Sequence, residues 1–227
     1  MSHKKKEIME KLKNDILSLE LKPGTLISET SLSEKFNLSR TPIRDILKQL
    51  SLQGFIDIYP KKGNIVSYID LESVEQITFL RSTLEKEIMK DLSSNIPITG
   101  LHNLMSILAM QNECIESKIE NQDKLIRFMV LDDRFHKTLF ELAGRKFLWN
   151  LIQQFNVHYM RYRKLHAFKK EKLRELLQGH QEILDCIVHG QKDRIDDLVY
   201  HHIRADINSP YFRENFMEYV KTPSKLV

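Results

Sequence analysis

From Leu71 onward, apolar residues recur at helical spacing in one segment after another, and no stretch alternates with the two-residue period of a strand. In "KLIRFMVLDDRFHKTLFELAG", Leu125, Phe128, Met129, Phe135, Leu139 and Ala143 share one face. The same period predicts helices at roughly 73–93, 101–118, 122–143, 146–166, 169–189 and 192–207, with a short one near 210–219. The breaks are brief: "SSNIPITG", "AG", the chain around His166, and "HG". Short connections between long amphipathic helices make neighbours antiparallel, so residues 71–227 are expected to form an all-α antiparallel bundle.

The first 70 residues are organised differently. Ile8, Leu12, Ile16 and Leu19 mark an amphipathic helix that "LKPG" stops. A short helix from about Glu29 to Phe36 follows, with Ser28 as a plausible N-cap, and "NLS" turns the chain into a third helix. That helix runs to about Gln53, where Gly54 suits its C-terminal end. "FIDIY" and "NIVSY" flank "PKKG" as a two-stranded hairpin. Helix, helix–turn–helix, hairpin is the order of a winged helix–turn–helix. The chain is therefore expected to be mainly α, with this domain at 1–70, the bundle at 71–227 and a boundary near Tyr68–Ser73.

Composition narrows the setting. Hydrophobic residues make up 41% and charged residues 29%, the balance of a soluble globular protein. No apolar run is long enough to span a bilayer, and "MSHKKKEIMEKL" lacks a secretory apolar core, so no membrane partner is expected. Cys114 and Cys186 are too few for a disulfide framework, which points to the cytoplasm. Residues 1–70 hold twelve Lys or Arg against nine Asp or Glu, a slight excess that permits a polyanionic partner without demanding one.

The third helix, in "NLSRTPIRDILKQL", is more specific. Ile43, Ile46, Leu47 and Leu50 form one stripe, and Arg40, Arg44 and Lys48 form an adjacent one at i, i+4 and i+8. One side anchors to a core and the other offers three cations in a row. Pro42 lies in the first turn, where a missing N–H costs little. Ser39 or Thr41 can cap that end. Free backbone N–H groups there favour phosphate, and an arginine can bond two acceptors on guanine, so the expected partner is double-stranded DNA. Lys61 or Lys62 at the hairpin tip would meet phosphate or the minor groove.

The run "LKPGTLISETSLSEKFNLSRTPIRDILKQLSLQGFIDIYPKKGNIV" resembles the DNA-binding domain of GntR-type bacterial transcription regulators, most clearly in "SRTPIR" and the glycine–aromatic to "KKG" stretch. The resemblance implies a homodimer on a palindromic operator. It implies that Arg40, Thr41 and Arg44 meet bases and phosphates, Ser39 a phosphate, and Lys62 and Gly63 the DNA at the wing tip. Thr30 stands where some members carry a further arginine.

In the bundle, four polar groups fall where a core is expected. Asp132 and His136 lie mid-face, four residues apart. His180 centres the apolar face of Leu173, Leu176, Leu177, Ile183, Leu184 and Ile187. His202 joins Ile195, Leu198 and Val199, while His201 points away. An inward carboxylate is costly unless paired, and one carboxylate with three imidazoles can wrap a divalent cation: zinc, nickel or manganese. Arg81 and Glu85 lie on the apolar stripe of their helix, either as an i,i+4 ion pair or with Arg81 as a clamp for an anionic effector. Nothing selects Arg161 or Arg163.

This pattern resembles the helical effector (FCD) domain of the FadR-type branch of the GntR family. There, "D-x-x-F-H" and two later histidines form a metal site beneath a ligand pocket. Asp132, Phe135 and His136 match the first element, and His180 and His202 the later pair. The resemblance implies a small carboxylate as effector. A second reading is a metal-dependent hydrolase with a nucleic-acid module. Against it stand the absence of HExxH, of a Gly-rich phosphate loop and of a Ser or Cys nucleophile signature, so the chain is expected not to be an enzyme.

Overall fold

The computed structural model describes residues 3–61, 63–169, 171–204 and 210–222. The chain divides into two compact units. The first takes in the chain up to Val74, Gln154–Tyr162 and the segment from Phe216; the second takes in Glu75–Gln153 and Arg163–Asn215. A single cut at residue 70 does not describe the two later segments that join the first unit.

The first unit contains α1 (His3–Leu17), β1 (Leu26–Ile27), α2 (Glu29–Phe36), α3 (Arg40–Leu52), β2 (Ile56–Tyr59) and β3 (Gly63–Val66). Its core forms where Ile8, Leu12 and Ile16 of α1 meet Ile43, Ile46, Leu47 and Leu50 of α3. Ser28 caps α2, its hydroxyl accepting from the Ser31 N–H at 3.2 Å. Asn37 turns the chain towards α3 in a left-handed conformation (φ 48°) that an Asn tolerates. Gly54, at φ 77°, follows the end of α3, where a side chain would be strained.

The sheet has three strands, not two, in the order β1-β3-β2, all antiparallel. Tyr59 pairs with Gly63 at the hairpin and Leu26 pairs with Ile65 on the other side. Two residues are too few for β1 to show a period in the sequence, so the hairpin alone was legible.

Residues 67–70 are held from two sides within this unit. Val157 enters the core. The Arg161 Nη1 donates to the Ser67 carbonyl at 2.6 Å and Nη2 to the Ser67 hydroxyl at 2.9 Å. That hydroxyl donates in turn to the Gly54 carbonyl at 2.7 Å. Val220 forms a parallel bridge with Ile69, and Lys221 Nζ lies 3.4 Å from Asp70.

The second unit is helical among its described residues: most of α4 (Leu71–Ser94), then α5 (Ile98–Glu116), α6 (Asn121–Leu142), most of α7 (Lys146–Phe155), the end of α8 (Val157–His166), whose first residues belong to the first unit, α9 (Lys172–Val188), α10 (Lys192–Val199) and most of α11 (Pro210–Phe216). Helix α5 packs on α6 and α9, and α10 packs on α9. Phe135, Leu139 and Phe140 of α6 meet Leu104, Ile107, Trp149, Ile183 and Ile187 in the core.

Two expected helices are interrupted. The segment 146–166 breaks at Asn156, whose carbonyl accepts the Met160 N–H at 2.8 Å and so opens α8. Asn is a favoured first residue of this kind, a signal that unbroken periodicity hides. The segment 192–207 is regular only to Val199, then widens into a π-helical turn at Tyr200–Arg204. Residues 205–207 lie outside the described part.

His158 gives the first unit a pH dependence. Its Nδ1 accepts from the Asp70 N–H at 3.3 Å and lies 3.1 Å from the Arg161 Nη2, so the ring is held neutral. Burial, then the Arg161 charge, pull its pKa down to about 4 from an ordinary 6.5. Below the ordinary value the unfolded chain binds the proton first. Stability is therefore full above about pH 6.5 and falls as the pH drops towards 4, by on the order of 3 kcal/mol. Melting curves of His158→Gln are expected to flatten between those limits; an unchanged slope would contradict this assignment.

Candidate metal centre and nucleic-acid face

Helix α6 brings Asp132 and His136 inward together because residues four apart share a face. Both are 2% exposed. His180 comes from the middle of α9 and is fully buried. His202 comes from the π-helical turn after α10, a distortion that recurs at functional sites. His201 is exposed, as its position on the wheel predicts.

The three rings converge, with Asp132 against two of them. The Nε2 of His136 lies 3.4 Å from that of His180 and 3.3 Å from that of His202. Asp132 Oδ2 is 3.7 Å from His136 Nε2, and Oδ1 is 3.6 Å from His180 Nε2. The three imidazoles have ligand atoms within 4.8 Å of one another.

Partners outside the cluster fix the rings. Glu85 of α4 can only accept, so the His136 Nδ1–H donates to its Oε2 at 2.7 Å, and Nε2 faces the other rings. Gln111 of α5 accepts from the His180 Nδ1 at 2.9 Å, which turns that ring's Nε2 inward in the same way. His202 fits because residue 179 is glycine: a Cβ there would stand 2.5 Å from the His202 Nδ1. A helix-interior glycine, costly by itself, is explained by that approach.

The charges are balanced. Burial would raise the Asp132 carboxyl, but the Arg163 guanidinium, aided by the imidazoles, holds it well below the usual carboxylate range. Arg163 donates to Asp132 Oδ2 at 2.6 Å and to Asp133 Oδ1 at 2.9 Å. Glu85 is likewise opposed by burial yet brought down to about 2 by Arg81 and His136. Burial pushes His180 down to about 3, and His202 well below its ordinary value.

Arg81 is 2% exposed, and its Nε donates to Glu85 at 2.8 Å while its guanidinium stands 5.8 Å from the centre of the Trp149 ring. The i,i+4 ion pair is thus present. Gln111 and Arg163 were not singled out by the sequence. Gln111 was detectable as a polar residue on the stripe of Leu104, Ile107 and Cys114. Arg163 had no such mark, because its partners lie 31 and 30 residues away.

In the first unit, α3 turns Ile43, Ile46, Leu47 and Leu50 inward and leaves Arg40, Thr41, Arg44 and Lys48 exposed. Ser39 occupies the N-cap position, exposed, and its side chain makes no cap bond. Arg44 Nε donates to Glu29 Oε2 at 2.7 Å with 64% of its side chain exposed. An exposed pair of this kind contributes little to stability and is readily exchanged for another acceptor. Gly63 opens β3 at φ 108°, beside Lys61 at φ 67°; Lys62 lies outside the described residues. Among the described residues, no helix is long and apolar enough to cross a membrane.

Comparison with known proteins finds a family match for each of two stretches of the chain. Residues 4–66 match the bacterial regulatory proteins of the gntR family, and residues 76–205 match the FCD domain. The chain is 29% identical over 201 residues to an uncharacterized HTH-type transcriptional regulator in an unstable DNA locus of Streptomyces ambofaciens, covering 88% of this chain and 82% of that one. It is 28% identical over 193 residues to the HTH-type transcriptional repressor RspR of Escherichia coli, covering 85% and 82%. The fold is that of E. coli McbR/YncC, with a TM-score of 0.67 at 18% identity, covering 95% of this chain and 100% of that one. The chain belongs to the GntR family of bacterial transcription regulators, in the group whose second domain is an FCD domain.

Proposed function

We propose that this regulator binds palindromic operator DNA as a homodimer, and that its bundle holds one divalent cation next to a site for a small organic acid. The observation that carries the metal is the spacing of the rings. Ligand atoms about 2.0–2.1 Å from a tetrahedral centre stand about 3.3–3.4 Å apart. The His136 nitrogen lies at such separations, 3.4 and 3.3 Å, from those of His180 and His202. Glu85 and Gln111 hold the Nδ1 edges of the His136 and His180 rings, which leaves their Nε2 atoms facing the centre. The donor set of three imidazoles and a carboxylate fits zinc, nickel or manganese.

When bound, the cation would supply a Lewis-acid attachment point for a carboxylate. The protein's own part is to present three oriented rings and Asp132 in a dry interior. Arg81 holds Glu85 and through it His136; a direct clamp on the effector would need it to share that carboxylate. An effector that fits one arrangement of the dimer better than another shifts it towards or away from operator spacing. On the DNA side, the exposed Arg40, Thr41 and Arg44, with Ser39 at the helix start and Lys62 and Gly63 at the wing tip, are the proposed contacts.

Selection from random-sequence duplexes is expected to enrich a palindrome with the wild-type chain. Arg44→Ala should weaken binding to that sequence by about tenfold to a hundredfold, with unchanged helical content. Undiminished affinity would refute the recognition role. Separately, His180→Ala is expected to lose bound metal in elemental analysis and to lower the melting temperature of the second unit. Full metal content in that variant would end the site proposal.

A further inference from the structure

Helix α8 carries two arginines two residues apart, and each is committed to a different task. Arg163 spans Asp132 and Asp133 of α6 at 2.6 and 2.9 Å, and so holds the carboxylate of the candidate metal centre. Arg161, fully buried, holds the Ser67 carbonyl and hydroxyl at 2.6 and 2.9 Å. Ser67 in turn donates to the carbonyl of Gly54, just past the end of α3. Each grip lies within one unit; the helix backbone is the covalent element they share.

We propose that α8 is the coupling element of this regulator, with Arg163 as its input and Arg161 as its output. The proposal rests on the metal reading given above. Arg163 takes Oδ2 of Asp132, leaving Oδ1 on the side of His180. Asp132, once it shares its charge with a cation, holds Arg163 less strongly, while Asp133 keeps its hold on the guanidinium. Two residues rise only about 3 Å along a helix, and hydrogen-bonded backbone does not absorb a shift over so short a length. Displacement of Arg163 is therefore passed to Arg161. The Arg161 grip is fixed at further points: its Nε bonds back to the Val157 carbonyl of the same helix, and Nη2 also faces His158. Residues 67–70, which join the α3 and wing region to α4, feel the change.

Hydrogen–deuterium exchange of the full-length chain, metal-stripped or saturated with zinc chloride, tests this, with zinc content measured on the same samples. The amides to follow are those of Ser67, bonded to the Phe55 carbonyl, and Asp70, bonded to His158. In the wild type, zinc should speed their exchange on the order of fivefold, the low end of ordinary coupling. In Arg163→Met, each amide should exchange at the same rate in the metal-stripped sample and in the sample whose zinc content shows it to be saturated. Arg161→Met should bind zinc as the wild type does yet show no zinc response at these amides. If that variant does not fold, Arg161→Lys, which keeps the charge and one donor, should show a reduced response. Zinc bound by the wild type with silent linker amides would overturn the coupling and leave the metal centre standing. A full response in Arg163→Met would overturn it too. A wild type that takes up no zinc would remove the metal reading, and the coupling with it.

Discussion

A carboxylate removed from water must find positive charge close by, and Asp132, in the middle of α6, is where the helical unit meets that demand. Arg163 satisfies one oxygen, and the His136 and His180 rings lie 3.7 and 3.6 Å from the group. The network does not stop there. Each of two rings is oriented by a second partner, and one of those partners, Glu85, is itself a buried carboxylate that requires Arg81. Removing any member leaves a charge or a donor stranded in a low-dielectric interior, where an unmet polar group costs about 1–3 kcal/mol and a charge more.

This requirement ties distant parts of the chain to one point. Helices α4, α5, α6, α8 and α9 and the π-helical turn each contribute one or more members. An apolar core accepts many arrangements of similar volume, whereas a polar core accepts the one in which every group is met. Even the glycine at 179 belongs to this demand, because the His202 ring occupies the space of its missing side chain. The reading head makes the opposite use of polarity. Its α3 puts Ile43, Ile46, Leu47 and Leu50 inside and leaves the cations in water, where they are free to exchange one anion for another.

Much of this was legible from residue spacing. The Ser28 cap and the "NLS" turn bounded α2, and the 3.6-residue period located the inward faces of α6 and α9, including the unfavourable positions of Asp132, His136 and His180. What periodicity misses is what depends on contact across the chain. It ran through Asn156, because a buried Asn that opens a helix looks like any polar position until its carbonyl partner is known. It could not show β1, which is a strand only by pairing with β3. Arg163 is recognisable only once the helix it faces is known. The same holds for the grip of Arg161 on Ser67, across 94 residues.

The central claim is that the three ring nitrogens and Asp132 surround one cation. Crystals of the protein purified without chelator, measured at the absorption edges of zinc, nickel and manganese, would test it most directly. The account predicts a single anomalous peak about 2.0–2.2 Å from the Nε2 atoms of His136, His180 and His202. A site free of any peak, with the rings joined by water instead, would contradict it.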